Sequence, residues 1–422
     1  MRELLERSYR AAVAAADPLK IVGAELPATP RGRTLVVGAG KAAAAMAAAV
    51  ERAWPGEARL EGLVITRYAH GLPTTRIRVV EAGHPIPDAA GEAGAREILH
   101  AVHALGPDDL LLALLSGGGS ALLGLPAEGL AAADLKALTA QLLRCGADIR
   151  EINTVRKHLS AIQGGRLAAA CRAPTLALII SDVTGDEPTH VASGPCAPDP
   201  TTYRDALDVL ARYELAAPAA VRAVLEAGAR GERPETPKPG DAVFARVENR
   251  VIASAHGALD AAAAVFRSAG IEPVVLGDSV TGEAREVAKV MAALVREVRR
   301  YRRPFAPPVA LLSGGECTVT VRSASGRGGR CAEFLLALAI ELDGLAGVHA
   351  IAADTDGIDG SEDNAGALLG PTSLQRAREQ GMSAKKLLAA NDSYGFFAAL
   401  GDLVVTGPTR TNVNDYRAIV VL

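Results

Sequence analysis

Several features that mark particular classes of protein are scarce or missing in this 422-residue sequence. Aromatic residues make up only 3% of it, which argues against a surface built to stack nucleic-acid bases. The formal net charge is -3, so no overall positive field attracts nucleic acid or a lipid surface. The longest apolar runs, such as Leu110–Leu115, have the length of a strand and not of a membrane span. We therefore expect neither a nucleic-acid partner nor a membrane partner.

Cysteine usage and the first residues bear on the cellular compartment. The five cysteines are scattered, and no two of them have the CxxC spacing of zinc and redox sites. Met1–Arg7 carries acids and has no apolar core, unlike a secretory signal. We expect a reduced, cytoplasmic protein without disulfides.

A recurring unit runs through the chain: an apolar run of strand length, a glycine-rich turn and an alanine-rich helix. This order is typical of parallel sheets with helices on both faces. Ala227–Asp241 is rich in glycine, proline and charge, as linkers are. We predict an α/β protein of two Rossmann-like, three-layer domains with mostly parallel sheets, residues 1–235 and 236–422, and a cleft between the domains. Thr318–Arg322 alternates polar and apolar residues and is expected to form an antiparallel strand.

Glycine-rich turns follow several predicted strands, where ligands of open α/β sheets bind. Gly38–Lys41 opens a helix, and the N–H groups of the helix start together with the lysine favour an anion. Ser116–Ser120 contains three consecutive glycines, which favour close approach of the main chain to a ligand. His84 lies in a proline-containing turn. Its side chain could contact a substrate carboxylate or form a structural hydrogen bond, and the sequence does not decide between these roles.

Turns that follow other predicted strands contain arginines and acids. Gly326–Arg330 places two arginines among three glycines, a pattern that can enclose a phosphate because guanidinium groups bind its oxygens in pairs. Ser181–Glu187 and Asp354–Gly360 each place three acids after a strand, where they could hold a divalent cation. Cations for phosphates and acids for a metal are the combination that phosphoryl transfer uses.

Two other functions fit part of this pattern. Gly38–Ala43 matches a loose dinucleotide fingerprint, and Arg67 near the end of the next strand would favour NADP over NAD. A hydride transferase would leave acids such as Asp182 and Glu316 without a role, whereas a kinase would use them. A non-catalytic regulator would bind ATP without transferring phosphate to any hydroxy acid.

At these residues the sequence resembles the type II glycerate kinases, the glycerate 2-kinases with a C-terminal MOFRL domain. The motifs that carry the resemblance keep their order over nearly the whole chain: Gly38–Lys41, Gly83–Asp88, Ser116–Leu123, Ser181–Pro195, Ser313–Glu316, Gly326–Arg330, Asp354–Gly360 and Gly407–Asp415. The resemblance implies ATP-dependent phosphorylation of D-glycerate at the 2-hydroxyl, which gives 2-phosphoglycerate and ADP, with Mg²⁺ or another divalent cation. Members have also been named hydroxypyruvate reductases, so NAD(P)H-dependent reduction of hydroxypyruvate is the alternative activity.

The resemblance also implies roles for single residues. Lys41 matches the family's lysine after the first strand, and Arg327 or Arg330 matches its arginine in the glycine-rich turn. Relatives commonly continue with Asn-Gln-Glu, whereas this chain has Cys331–Glu333, so any polar contact made by the first two residues is absent here.

Together these arguments predict a site. The catalytic residues are Lys41, Arg327 and Asp182, with Asp182 as the base that takes the hydroxyl proton. The substrate-binding residues are Lys41, His84, Ser116, Gly117, Gly118, Gly119, Ser120 and Arg330. The residues that bind the nucleotide are Ser313, Gly314, Gly315, Glu316, Gly328, Gly329, Thr355, Asn412 and Asn414. The metal ligands are Asp182, Glu316, Asp354 and Asp356. D-glycerate is the expected partner, and the sequence leaves open whether the chain forms a homodimer.

Overall fold

A computed structural model describes residues 1–323 and 325–422 of the chain. Its α-helices are α1 Arg2–Ala15, α2 Pro18–Ile21, α3 Ala43–Ala53, α4 Ala89–His103, α5 Gly119–Leu122, α6 Ala132–Leu142, α7 Ile149–His158, α8 Arg166–Ala170, α9 Tyr203–Arg212, α10 Ala219–Ala229, α11 Ala255–Ser268, α12 Ala284–Tyr301, α13 Arg330–Leu342, α14 Ser373–Glu379, α15 Ala384–Ala389 and α16 Ser393–Leu400. Its strands are β1 Thr34–Ala39, β2 Leu60–Arg67, β3 Ile77–Ala82, β4 Leu110–Ser116, β5 Thr175–Ile180, β6 Val247–Ala253, β7 Glu272–Gly277, β8 Gly282–Glu283, β9 Val309–Ser313, β10 Cys317–Thr318, β11 Val348–Asp354, β12 Gly366–Leu369, β13 Leu403–Val404 and β14 Asp415–Val421. Within the described ranges, no helix combines the length and the apolar character that crossing a bilayer requires.

The chain divides into two compact units. The N-terminal unit is Pro18–Ile252, and the C-terminal unit joins Met1–Asp17 to Ala253–Leu422. Helix α1 therefore belongs to the C-terminal unit, where the Tyr9 hydroxyl donates a hydrogen bond of 2.8 Å to the carbonyl oxygen of Asp354. A sequence pattern shows the amphipathic character of such a helix but not the unit on which it packs.

This division differs from the boundary predicted between residues 235 and 236. The segment Ala227–Asp241, expected to be a linker or a long surface loop, is packed into the N-terminal unit: Thr236 is 1% exposed, and Pro237 accepts a backbone hydrogen bond of 2.9 Å from Asp199. A few buried contacts hold this segment in place, although its composition is that of a loop.

The N-terminal unit contains a six-stranded sheet with the order β3-β2-β1-β4-β5-β6. The pairs from β3 to β5 are parallel, and β1, β4 and β5 are buried along their whole length, as their uninterrupted apolar sequences predict. Ala39 pairs with Leu115, and Ser116 pairs with Ile180. The turns that follow β1, β4 and β5 therefore lie at one edge of this sheet.

Helices α6, α7, α9 and α10 form a second, helical core in the same unit. Its buried members include Leu138, Val155, Tyr203 and Leu225. The N-terminus of α7 is capped by Asp148, whose side chain accepts a hydrogen bond from the N–H of Glu151 while Glu151 accepts one from Asp148. This core fixes α7, which carries residues of the candidate site described below.

The C-terminal unit contains a six-stranded sheet with the order β13-β12-β11-β14-β9-β7. Strands β7, β9, β11 and β13 run in one direction, and β12 and β14 run in the other, so only the β7–β9 pair is parallel. The predicted α/β class is confirmed. Four of the six strands run in one direction, as expected for a mostly parallel sheet. Four of the five pairings are nevertheless antiparallel, because β12 and β14 each lie between two strands that run in the opposite direction.

The strand expected over Thr318–Arg322 is short and pairs differently. Only Cys317–Thr318 is a strand, and it pairs in parallel with Gly282–Glu283 in a separate two-stranded sheet. The prediction of an antiparallel strand here was wrong, because the alternating pattern continues into a loop that Asn391 holds by accepting the Arg322 N–H and donating to the Thr320 carbonyl.

In the N-terminal unit, a buried ion pair connects α7 to the loop that follows the short 3₁₀ helix at residues 191–193. Lys157 and Asp199 are both inaccessible to solvent, with 3.3 Å between Nζ and Oδ1. The Lys157 ammonium also donates a hydrogen bond of 2.8 Å to the Thr189 hydroxyl. A charge that is buried this completely is tolerated only when it is paired.

Replacing Lys157 by Met should therefore destabilise the protein by about 3–5 kcal/mol, because the Asp199 carboxylate remains buried without its partner. Urea denaturation of the full chain measures the loss in the free energy of unfolding. The double variant Lys157→Met/Asp199→Asn should recover part of it, and Lys136→Met, at an exposed position of α6, is the matched control. Equal losses in Lys157→Met and Lys136→Met would contradict this account.

Candidate functional site

The turns after β1 and β4 are in direct contact in the N-terminal unit. The Lys41 N–H donates a hydrogen bond of 2.8 Å to the Gly117 carbonyl oxygen, and the Ala42 N–H donates one of 3.0 Å to Ser116 Oγ. Gly40 has φ +140°, and a Cβ there would lie 2.1 Å from Ser116 Oγ. The N–H groups of residues 41 and 42 are thus used inside the protein, which was not expected for groups predicted to favour an anion.

Lys41 and His84 both lie against the glycines of Ser116–Ser120. Gly118 has φ +81°, and a Cβ there would lie 2.9 Å from His84 Nε2 and 3.5 Å from Lys41 Cγ. The structure therefore brings together the predicted lysine, histidine and glycine turn. Gly118 is required both for its left-handed conformation and for the room that these two side chains take.

A strained loop lies against the same turn. Ala192 and Ser193 have φ of 51° and 58°, a conformation that non-glycine residues rarely adopt and that is concentrated at functional sites. Ser193 Oγ lies 2.8 Å from Ser120 Oγ and donates a hydrogen bond of 3.1 Å to Asn153 Oδ1. Asn153 was missed by the sequence analysis because its neighbours form an ordinary amphipathic helix.

Asp182 lies at the same edge of the sheet as these turns. It follows β5, whose last residue, Ile180, pairs with Ser116 of β4. The adjacent Ser181 is fully buried, and its hydroxyl accepts a hydrogen bond from the Val183 N–H. The position of Asp182 is compatible with its predicted role as a base, which stays a prediction.

Arg330 is the centre of a cluster of charges in the C-terminal unit. Its Nη1 lies 2.6 Å from Glu316 Oε1, its Nη2 lies 2.7 Å from Asp354 Oδ2, and its Nε lies 2.8 Å from Asp415 Oδ1. Burial acts to lower the pKa of Arg330, but the carboxylates of Asp415, Asp354 and Glu316 raise it well above its ordinary value. Of these three acids only Glu316 is largely exposed, with a side-chain exposure of 55%.

A second arginine holds the turn after β9, where Ser313, Gly314 and Gly315 were predicted to bind the nucleotide. Arg417 is 1% exposed and donates hydrogen bonds of 3.3 Å to the Gly314 carbonyl and 2.6 Å to the Gly315 carbonyl. It also lies 3.3 Å from Asp415 Oδ2. Asp415 is thus held between two arginines, an arrangement that the sequence did not reveal because Arg330 is far from Asp415 in the chain.

The loops at Thr355 and Asn412–Asn414 are joined by hydrogen bonds. The Thr355 hydroxyl donates to the Asn414 carbonyl over 2.7 Å and accepts from the Val413 N–H over 2.9 Å. Asp354 Oδ1 accepts from the Asp356 N–H over 3.0 Å. The structure brings these predicted residues together with the Arg330 cluster, since Asp354 belongs to both groups.

Arg327 lies outside that cluster. Its guanidinium bonds Glu362 Oε2 and lies 4.3 Å from the centre of the Tyr394 ring, and its side chain is 54% exposed. The neighbouring glycines have a packing role: a Cβ at Gly329 would lie 2.2 Å from Asp359 Oδ1, and one at Gly328 would lie 2.3 Å from Ser393 Oγ.

Comparisons with known proteins show the family of this chain. A family model described as "Domain of unknown function (DUF4147)" matches residues 4–226, and the MOFRL family model matches residues 309–415. The glycerate 2-kinase of Pyrococcus horikoshii is 38% identical over 100% of this chain and 97% of its own length. The chain belongs to the type II glycerate kinase family. A crystal structure of the glycerate kinase of Thermotoga maritima has a TM-score of 0.88 and 38% identity, and covers 100% of this chain and 99% of its own.

A further relative has a different name. A protein of Agrobacterium vitis, named as a candidate hydroxypyruvate reductase, is 53% identical over 100% of this chain and 94% of its own length. The family thus includes proteins named for either of the two activities that the sequence left open.

The described residues form no ready-made cage for a resident divalent cation, although the family resemblance implied one. In residues 1–323 and 325–422, no three side chains of His, Cys, Asp or Glu are grouped so as to hold a metal ion. Glu316 and Asp354, two of the predicted ligands, instead bond the guanidinium of Arg330. We therefore assign no step of the reaction to a metal held by these residues.

One carboxyl group in this family member is poised to titrate near neutral pH. Asp359 is fully buried at the N-terminus of α13 and accepts hydrogen bonds from the N–H groups of Cys331 and Ala332, over 2.9 Å and 2.8 Å. Burial raises the pKa of Asp359 to about 7, against the lowering effect of these hydrogen bonds. The main chain of Cys331 and Ala332 thus has a structural contact that does not depend on their side chains.

Because this pKa is higher in the folded state than in the unfolded chain, the stabilisation that Asp359 provides should be full below about pH 4 and should be lost as the pH rises to about 7. The difference in the free energy of unfolding, wild type minus Asp359→Asn, should therefore fall between about pH 4 and about pH 7 and stay constant at higher pH. Urea denaturation at several pH values measures this difference. Asp260→Asn, at an exposed position of α11, is the control, and a pH-independent difference for Asp359→Asn would contradict the expected titration.

Proposed function

We propose that this protein is an ATP-dependent glycerate 2-kinase, which transfers the γ-phosphoryl group of ATP to the 2-hydroxyl of D-glycerate and releases ADP. The observation that carries the proposal is the meeting of Lys41, His84 and the turn Ser116–Ser120 at one edge of the N-terminal sheet. A lysine and a histidine beside glycines suit a small, negatively charged hydroxy acid. The full-length similarity to proteins named glycerate 2-kinase supports the substrate.

The residues of the N-terminal unit can prepare the hydroxyl for attack. As the oxygen of the substrate hydroxyl forms its bond to phosphorus, its proton must leave, and we assign this proton to the Asp182 carboxylate at the same sheet edge. Lys41 supplies positive charge for the phosphoryl oxygens as the bond to ADP breaks. His84, which is in contact with the position of Gly118, orients the substrate.

In the C-terminal unit we assign the contact with the nucleotide to Arg330 and not to Arg327. Arg330 lines a cavity of the C-terminal unit with Gly328 and Gly329, and Val319 and Val321 provide an apolar wall. A phosphate chain and a base would find matching chemistry there. Arg327 is on the surface in an exposed ion pair, which contributes little in water.

The contacts of the first turn argue against the reductase alternative. A dinucleotide needs free N–H groups at the start of the first helix for its pyrophosphate. In this protein the N–H groups of Lys41 and Ala42 already donate to Gly117 and Ser116. The strand β2 ends at Arg67 without the acid that binds a ribose of NAD, which argues against NADH as the reductant but not against NADPH.

One coupled assay separates the activities. With D-glycerate and ATP the protein should form 2-phosphoglycerate and ADP, and with hydroxypyruvate and NADPH it should consume no NADPH. Product formation is followed by coupling 2-phosphoglycerate to an enolase reaction and by the absorbance of NADPH. Oxidation of NADPH without phosphorylation of glycerate would make the protein a reductase, and ATP binding without transfer would make it a regulator.

Variants distinguish the two arginines. Lys41→Ala should lower kcat by ~10²–10⁴, because it removes a cation from the transferring group. Arg330→Lys should raise the KM for ATP, because lysine lacks the paired donors of a guanidinium, and Arg327→Ala should change it by no more than a few-fold. Steady-state kinetics measures these effects, with thermal unfolding as a check of folding and Lys136→Ala as the control for Lys41→Ala. Near-normal turnover in Lys41→Ala, or an unchanged KM for ATP in Arg330→Lys, would refute the corresponding assignment.

A further inference from the structure

Arg156 on α7 lies beside the candidate site of the N-terminal unit. It follows Asn153 by three residues, so both side chains lie on one face of the helix. Asn153 accepts a hydrogen bond of 3.1 Å from Ser193, and Ser193 lies 2.8 Å from Ser120. This face of α7 is therefore directed at the turn Ser116–Ser120.

Arg156 and Ser120 line the same small cavity. Its other polar walls include Gln163, whose side-chain amide donates a hydrogen bond of 2.8 Å to the Ser120 carbonyl oxygen. Pro87, three residues after His84, closes another side. The cavity is thus built from α7, from the loop that carries His84 and from the glycine turn that Lys41 contacts.

Arg156 is half-buried, and the cavity that it lines has apolar walls that include Leu138, Leu142 and Leu159. Burial lowers the pKa of Arg156 to about 10. In the part of the chain that the structure describes, no carboxylate forms an ion pair with it, whereas Arg330 of the C-terminal unit bonds three. A guanidinium withdrawn from water without a counter-ion is unfavourable, and a bound anion would remove this cost.

We propose that Arg156 binds the carboxylate of the hydroxy-acid substrate and so makes the enzyme specific for an acid over a neutral polyol or amide. The inference rests on the proposed function and adds to it the residue that recognises the acid group. A guanidinium can bind both oxygens of a carboxylate at once. Lys41, which the sequence predicts as both a catalytic and a substrate-binding residue, is then left for the phosphoryl group.

The spacing within the glycine turn agrees with this division. Lys41 is in contact with the position of Gly118, and Arg156 shares its cavity with Ser120. Two residues of chain separate these positions, at most ~7 Å. Two long side chains on either side of such a gap can hold the carboxylate of a hydroxy acid and the phosphoryl group that its hydroxyl receives.

The test compares D-glycerate with D-glyceramide, its neutral amide, as phosphoryl acceptors. In the wild type kcat/KM should be higher for the acid. In Arg156→Gln, kcat/KM for D-glycerate should fall ~10–100-fold, mainly through KM, because a charge-assisted hydrogen-bonded pair is lost. Its kcat/KM for D-glyceramide should change little, so the preference for the acid should collapse. A purely structural role would lower both rates together.

Arg222→Gln, at an exposed position of α10, is the matched control and should keep the preference of the wild type. If Arg156→Gln does not fold, Arg156→Lys decides, because it keeps the charge and loses the paired donors; its KM for D-glycerate should rise at an unchanged thermal midpoint. An unchanged preference in Arg156→Gln, or an unchanged KM in Arg156→Lys, overturns the inference while the proposed function stands. Failure of the wild type to phosphorylate D-glycerate overturns the proposed function itself.

Discussion

The close approach of two turns is the contact on which the candidate site of the N-terminal unit depends. Gly40 lies so near to Ser116 that no side chain could stand at its position, and the main chain of Lys41 is bonded to Gly117. These contacts use the N–H groups that a helix start would otherwise offer to an anion, so the Lys41 ammonium becomes the positive group of this turn. His84, Ser120 and the strained residues Ala192 and Ser193 are then placed by their contacts with the same glycines.

Both units compensate buried positive charge with carboxylates. In the C-terminal unit, the carboxylates of Asp354, Asp415 and Glu316 compensate Arg330, and Arg417 shares Asp415 while it holds the turn after β9. In the N-terminal unit, Lys157 is compensated by Asp199. Buried ion pairs of this kind fix loops that carry function, since breaking one leaves a charge without solvent or partner. Where a charged group of a site has no such partner within the protein, its natural partner is a ligand.

Much of the fold followed from local sequence. The apolar runs of β1, β4 and β5 predicted buried parallel strands, and the glycine turns after them predicted where ligands would bind. The insertion of β12 and β14 between strands of opposite direction was not predictable, because strand direction depends on connections between distant segments. The assignment of α1 to the C-terminal unit was missed for a similar reason, since the contact of Tyr9 with Asp354 joins residues that are far apart in the chain. Arg417 and Asn153 were missed because their roles arise only from neighbours in space.

The sequence by itself determined the residue types available at the strand ends: the lysine, the glycines, the arginines and the acids of phosphoryl-transfer chemistry. These are local properties, set by which residues follow an apolar run. Only the tertiary structure decided how they are used. It placed Arg330 among three carboxylates and Arg327 on the surface, although both stand in one glycine-rich turn. The strength and availability of a charge depend on burial and on partners from distant segments, and folding alone brings these together.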